Sequence, residues 1–223
     1  MITVTANTLG ECWLGCIEQV LHYGNTHYDE DVMILEILGL CVEITAPSSK
    51  DDLIAKAGDK NVIDRMLRKF AKGVVMSDRP FTYGGLIYDF NGIDQFAWMI
   101  DRLKNKPESK SATVSLLIPG LNEPHLPCLN VLDAKIRGGK LELQFFFRSQ
   151  NIFGRQYANL LALADLHENL AHQVGCEIGS MKGYIASAHI YEYDIPDAKA
   201  LNATHLCRIS DNYYSKGPSS DRS

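Results

Sequence analysis

Apolar and polar positions recur along this chain with two different periods, and each period predicts its own kind of element. In "ECWLGCIEQVLHYG", Leu14, Ile17, Val20 and Leu21 fall at helical spacing, on one stripe of a helix that ends at Gly24. "LCVEITAP" alternates instead, setting Leu40, Val42 and Ile44 against Cys41, Glu43 and Thr45, which predicts a half-buried strand closed by Pro47. Helical spacing returns from about Asn61 to Ala71, with Ile63, Met66, Leu67 and Phe70 inward. It returns again in "GIDQFAWMIDRLKNKP", with Ile93, Phe96, Ile100 and Leu103 on one side.

Strand-like runs come next. "SATVSLLIP" leads, and "CLNVLDAKIR" and "KLELQFFFRS" flank Gly138-Gly139 as the arms of a hairpin. A long helix is expected from roughly Tyr157 to Val174, stopping at Gly175, and "GYIASAHIYEYD" is expected to be the last regular element. Helices interspersed with strand pairs point to α/β or α+β layering over a mixed sheet. No linker or repeat divides the chain, so one domain is expected over 1–208, followed by a polar, disordered tail over 209–223.

Composition narrows the function classes. At 223 residues, with 46% hydrophobic and 22% charged residues, the chain can bury a sizeable core. A formal net charge of -5 argues against a nucleic-acid partner, although local cations could hold a small anion. No apolar run approaches the roughly 18 residues that a bilayer demands. The start "MITVTANTLGE" has no signal-peptide pattern, so the expected location is cytoplasmic, where thiols stay reduced. The six cysteines are then candidates for core, metal site or nucleophile.

Several chemistries drop out. Neither G-x-G-x-x-G after a strand nor G-x-x-x-x-G-K-[ST] is present. Cys12 and Cys16 lie four apart on one helix face without a matching second pair, and packing is the simpler reading. In "HENLAH", His167 and His172 are five apart, about 140° around a helix, and cannot share a metal in the usual way. A set of polar residues at the ends of the late strands remains. Cys128 follows a proline where a strand begins, and Arg148 and Ser149 end the next. Ser187, His189 and Tyr191 alternate on one side of the last, and Asn159 opens the helix between. A thiol, a cation to favour its ionised form and groups for a polar planar ligand make a coherent nucleophilic site.

These residues carry a resemblance. From Ile93 to Tyr191 the chain resembles thymidylate synthase, most closely the short branch of methanogenic archaea. The resemblance rests on "IDQFAWMIDRLKNKPESKSATVSL", Pro127-Cys128, "GGKLELQFFFRS", Asn159 in "YANLLAL" and "SAHIY", with an upstream "TYGG" that supplies Tyr83. It implies a large twisted mixed sheet covered by helices, with two such sheets paired face to face in a homodimer. Leu141, Leu143, Phe145 and Phe147 would then belong to interface or core.

The resemblance also implies an activity: transfer of a one-carbon unit to C5 of a uridine nucleotide, dUMP to dTMP. The donor would be 5,10-methylenetetrahydrofolate or methylenetetrahydromethanopterin. Cys128 would add to C6 of the ring; Arg148, Ser149 and Lys110 would meet the phosphate. Asn159 would read the pyrimidine, His189 and Tyr191 the ribose, and Tyr83 would assist loss of the C5 proton.

The chain departs from the family pattern in several places. Lys110-Ser111 stands where an arginine pair reaches the partner's phosphate site, with Arg155 a candidate substitute, and Leu129 and Asn151 replace a histidine and an aspartate. The family's N-terminal glutamate has no evident counterpart, nor does its C-terminal segment. A hydroxymethyl-transferring relative and a nucleotide-binding protein without turnover are the alternatives.

Overall fold

The structure is a computed structural model that describes residues 1–120 and 126–214, and side chains through residue 204. Its elements follow the two periods. Strand β1 (Ile2–Ala6) leads into α1 (Leu9–Tyr23), whose start is fixed by a capping box between Thr8 and Glu11. Next come β2 (Asn25–Asp29), β3 (Val32–Ile44), α2 (Asp52–Ala57), α3 (Lys60–Phe70), α4 (Tyr83–Tyr88) and α5 (Gln95–Asn105). The second half holds β4 (Ala112–Ser115), β5 (Leu129–Arg137), β6 (Lys140–Phe147), β7 (Gln150–Asn151), α6 (Gln156–Val174), β8 (Glu177–Tyr191) and α7 (Ile195–Tyr214).

The sheet runs β1-β3-β8-β6-β5-β4, with β2 on β3 and β7 on β8. It is mixed: β1/β3 and β6/β8 are parallel, whereas β3/β8, β4/β5 and β5/β6 are antiparallel. Gly138 and Gly139 turn the β5–β6 hairpin with φ of 57° and 79°, the left-handed pair that a two-residue turn needs. Parallel pairing of β6 with β8 requires a crossover, and α6 supplies it, stopping at Gly175 with φ 84°.

One face of the sheet carries the core. Leu141, Leu143, Phe145 and Phe147 are all buried within the single chain, which makes this row core. The residues between them on β6, Glu142, Gln144 and Phe146, are half-buried or exposed. Leu38 and Tyr184, on neighbouring strands, are exposed.

Some expectations needed revision. Ile93 lies outside α5 and is 58% exposed, and Met99 takes its place beside Phe96, Ile100 and Leu103. The last regular element is α7 rather than β8. It continues to Tyr214, into the segment expected as tail, and residues 215–223 lie outside the described residues.

Candidate active site

The topology brings the polar set together. Because β5 runs antiparallel to β6, the start of β5 lies beside the end of β6, and Arg148 N donates to the Cys128 carbonyl at 2.8 Å. Because β8 is parallel to β6, its end reaches the same edge. The short β7 pairs Gln150 with Ala188 and Asn151 with His189, and α6 begins a few residues later with Asn159 in its first turn.

These residues line a cleft of about 490 Å³. Cys128, Tyr83, Ser149, Asn151, Asn159, His189 and Tyr191 all face it, together with Gln150 and four cations: Arg65, Lys69, Arg79 and Arg155. No carboxylate occurs among its described lining residues. Several buried polar atoms here lack a protein partner: Asn159 Oδ1, both amide atoms of Gln150, His189 Nδ1 and Arg79 Nε. A buried donor or acceptor left unpaired is costly, so this concentration at one surface marks a site organised for a polar ligand.

Each titratable group responds to its surroundings. Burial, followed by the charge of Cys128, pushes the Tyr83 phenol well above its ordinary range, and its hydroxyl oxygen accepts from Leu129 N at 3.3 Å. Burial lowers the pKa of His189, keeping its ring neutral. Burial and a hydrogen bond donated to Asp29 at 2.8 Å raise that of Tyr191. Lys69 is lowered to about 8, mainly by burial and then by Arg79, and its Nζ sits 4.0 Å from the centroid of the Tyr83 ring.

Three residues of the expected set do not line this cleft. Arg148 lines a smaller cavity that shares Cys128, Tyr83, Lys69 and Arg79 with the cleft. There it donates from Nε to the Pro127 carbonyl at 3.1 Å and from Nη2 to the Leu126 carbonyl at 3.0 Å. It thereby braces the backbone that precedes the thiol. Lys110 is exposed between α5 and β4, away from the cleft lining of this chain. Ser187 turns to Glu36 on β3 and does not line the cleft.

The sequence reading passed over Arg65, Lys69, Arg79 and Gln150. Arg65 and Lys69 share a face of α3 at four-residue spacing, a signal that was legible. Gln150 had none. The other motifs resolve into packing: Cys12 and Cys16 are buried, with Gln156 Nε2 donating to Cys16 Sγ at 3.3 Å, and His167 is buried with Nε2 against the Leu141 carbonyl at 2.6 Å.

A neighbouring cavity of about 300 Å³ opens beside Asn151 and Arg155. Its walls include Trp13, Phe153, Tyr157 and Tyr193, with Asp59 and Asp194 as acceptors. Trp13 and Tyr157 are themselves buried, so Phe153, Tyr193 and the two carboxylates are the groups that suit a flat heterocycle rich in N–H donors, and these fit a pterin.

Comparison with known proteins gives a consistent result. Residues 60–208 match the family model described as thymidylate synthase. Proteins named "Putative thymidylate synthase" are similar over most of their length. That of Methanosarcina mazei is 30% identical over 195 residues, covering 86% of this chain and 90% of its own. Those of Methanothermobacter marburgensis and Methanopyrus kandleri are each 28% identical, covering 89% and 88% of this chain and 96% of their own.

Proposed function

The chain belongs to the thymidylate synthase family, and from that premise we propose that it transfers a one-carbon unit to C5 of a uridine nucleotide, converting dUMP to dTMP. The observation that carries this reading is the shared cleft. A thiol, Cys128, shares it with the unpartnered Asn159 Oδ1 and Gln150 amide, and the charged residues among its described lining are positive.

C5 of uracil is a weak nucleophile, and adding a thiolate at C6 turns it into an enolate carbon able to take an electrophile. Cys128 makes that addition, a reading supported by its position on the cleft lining with Asn159. The Asn159 amide offers both a donor and an acceptor and suits the N3–H and O4 edge of uracil. His189, held neutral, and Tyr191 bond a ribose hydroxyl, a reading supported by their place on the cleft lining. Tyr83 stays protonated and acts as a hydroxyl that orients water. Arg148 fixes the two carbonyls before Cys128, and so fixes where the sulfur points.

The phosphate meets Ser149 and the cleft cations, among which Arg155 lines both cavities together with Asn151. Phe153 and Tyr193 would hold a methylene-bearing pterin, with Asp59 and Asp194 accepting from its donors. When bound, that group supplies the carbon unit and the hydride. The open face of the sheet, with Phe146 stacked on Tyr184, supports pairing with a second copy of the chain.

The test is tritium release from C5-labelled dUMP with either methylene-pterin, with Cys128→Ser as control. Release that depends on Cys128, with a methylated product, is expected. Nucleotide binding without release from any of dUMP, UMP, dCMP or CMP would remove the enzymatic reading. A product bearing CH2OH would replace methyl transfer with hydroxymethyl transfer.

A further inference from the structure

Building on the reading that Cys128 attacks a uracil ring at C6, we propose that the Lys69 ammonium is a catalytic cation that holds the negative charge arriving on the ring's C4 oxygen. The electron balance defines the need. The sulfur's pair forms the S–C6 bond, the C5–C6 π bond breaks, and its electrons move through C5 onto the C4 oxygen. The ring becomes an enolate anion, with no oxidant or reductant involved. A preorganised cation aimed at that oxygen lowers the barrier to the addition itself.

The cleft suits such a charge, because the charged residues among its described lining are all cations. Among them Lys69 and Arg79 line both the main cleft and the smaller cavity that shares Cys128 with it, and of the two only Arg79 has a described carboxylate partner. The Lys69 Nζ rests over the Tyr83 ring, whose hydroxyl accepts from the amide of Leu129, the residue after Cys128. Lys69 is therefore tied to the backbone of the reacting thiol through one aromatic side chain.

The other cations are differently committed. Arg65 and Arg79 both pair with Asp78, which neutralises part of their charge. Arg155 stands on the wall shared with the aromatic cavity. Among the described residues no carboxylate pairs with Lys69.

The surrounding groups also set a pH signature. Facing Lys69 are Arg65 on α3, Arg79 and its partner Asp78, Tyr83 on α4, Cys128 at the start of β5 and Arg148 after β6. Arg155 before α6, His189 and Tyr191 on β8, and Tyr193 complete the surroundings. Burial and Arg79 lower the ammonium to about 8, while Cys128 opposes them. The cation is present below that pH and is lost as pH rises through it, so addition should slow on the alkaline side.

The experiment measures the rate of covalent capture of 5-fluoro-dUMP by Cys128, by mass spectrometry with a methylene-pterin present, between pH 6 and pH 10. Wild type, Lys69→Met and Lys69→Arg are compared, with dUMP dissociation constants measured in parallel. The expected wild-type rate falls above pH 8 or so, and Lys69→Arg, whose guanidinium does not titrate there, loses that fall. Lys69→Met should slow capture at neutral pH by about 100-fold, with a far smaller change in dUMP affinity. An identical alkaline fall in wild type and Lys69→Arg overturns the proposal, as does a Lys69→Met defect confined to dUMP affinity. If Lys69→Met fails to fold, the arginine variant decides alone. Failure of wild type to capture the analogue at any pH refutes the parent reading, and this inference with it.

Discussion

Asn159→Leu separates a residue kept for function from one kept for stability. Asn159 is 5% exposed, lies in the first turn of α6, and has a buried Oδ1 without a partner. An unsatisfied buried acceptor costs about 1–3 kcal/mol. Leucine has nearly the same shape, carries no polar atom, and is a better helix former than asparagine by about 0.5 kcal/mol. Allowing for imperfect packing of the second methyl, the substitution should stabilise the free protein by about 1 kcal/mol, or roughly 2–4 °C in Tm for a chain of this length.

Binding should move the other way. Two hydrogen bonds to the base edge would be lost, costing about 2–4 kcal/mol together, which is roughly a 30- to 700-fold weaker dUMP complex. Differential scanning calorimetry of the free protein and titration with dUMP measure the two sides. A variant that melts several degrees lower yet binds dUMP normally would refute the assignment and make the amide a structural group.

Arg148→Ala should slow capture of 5-fluoro-dUMP by Cys128 roughly ten- to a hundredfold, because the Leu126 and Pro127 carbonyls lose their brace. Arg148→Lys should recover little, since one ammonium cannot reproduce the fork, and capture rates check both variants. Burial lowers the pKa of His167 and of His189 in the fold. Their contribution to stability is therefore complete above about pH 6.5, the unfolded value, and is lost as pH falls toward the depressed folded values. Urea unfolding at pH 7 and pH 5 should show that loss, and His167→Gln, which keeps a donor for the Leu141 carbonyl, should make it smaller.

What the sequence disclosed was local. The β5–β6 hairpin was legible because Gly138-Gly139 permits left-handed φ between two alternating runs, and α6 because its apolar spacing stops at Gly175. Ile93 fitted the same helical spacing as Phe96 and Ile100, but Asp94 caps the helix after it and leaves Ile93 at the surface. The pairing of β1 and β2 with β3 depends on contacts distant in sequence, which no local period records. α7 went unpredicted because "IPDAKALNATHL" has no continuous apolar stripe to reveal it.

The candidate site divides in the same way. Cys128, Ser149, Asn159, His189 and Tyr191 stood in recognisable order, and strand pairing brings them to one edge. The sequence pattern predicts Arg148 as a ligand-facing cation, and in the fold its guanidinium donates to the Leu126 and Pro127 carbonyls. Gln150 was invisible because nothing in "RSQN" announces a two-residue strand against β8.

The most direct measurement is mass spectrometry of the protein after incubation with 5-fluoro-dUMP and a methylene-pterin, followed by peptide mapping. A single nucleotide adduct on the peptide containing Cys128, absent in Cys128→Ser, is the predicted result. An unmodified protein, or an adduct on another cysteine, would contradict the claim that this sulfur attacks the ring.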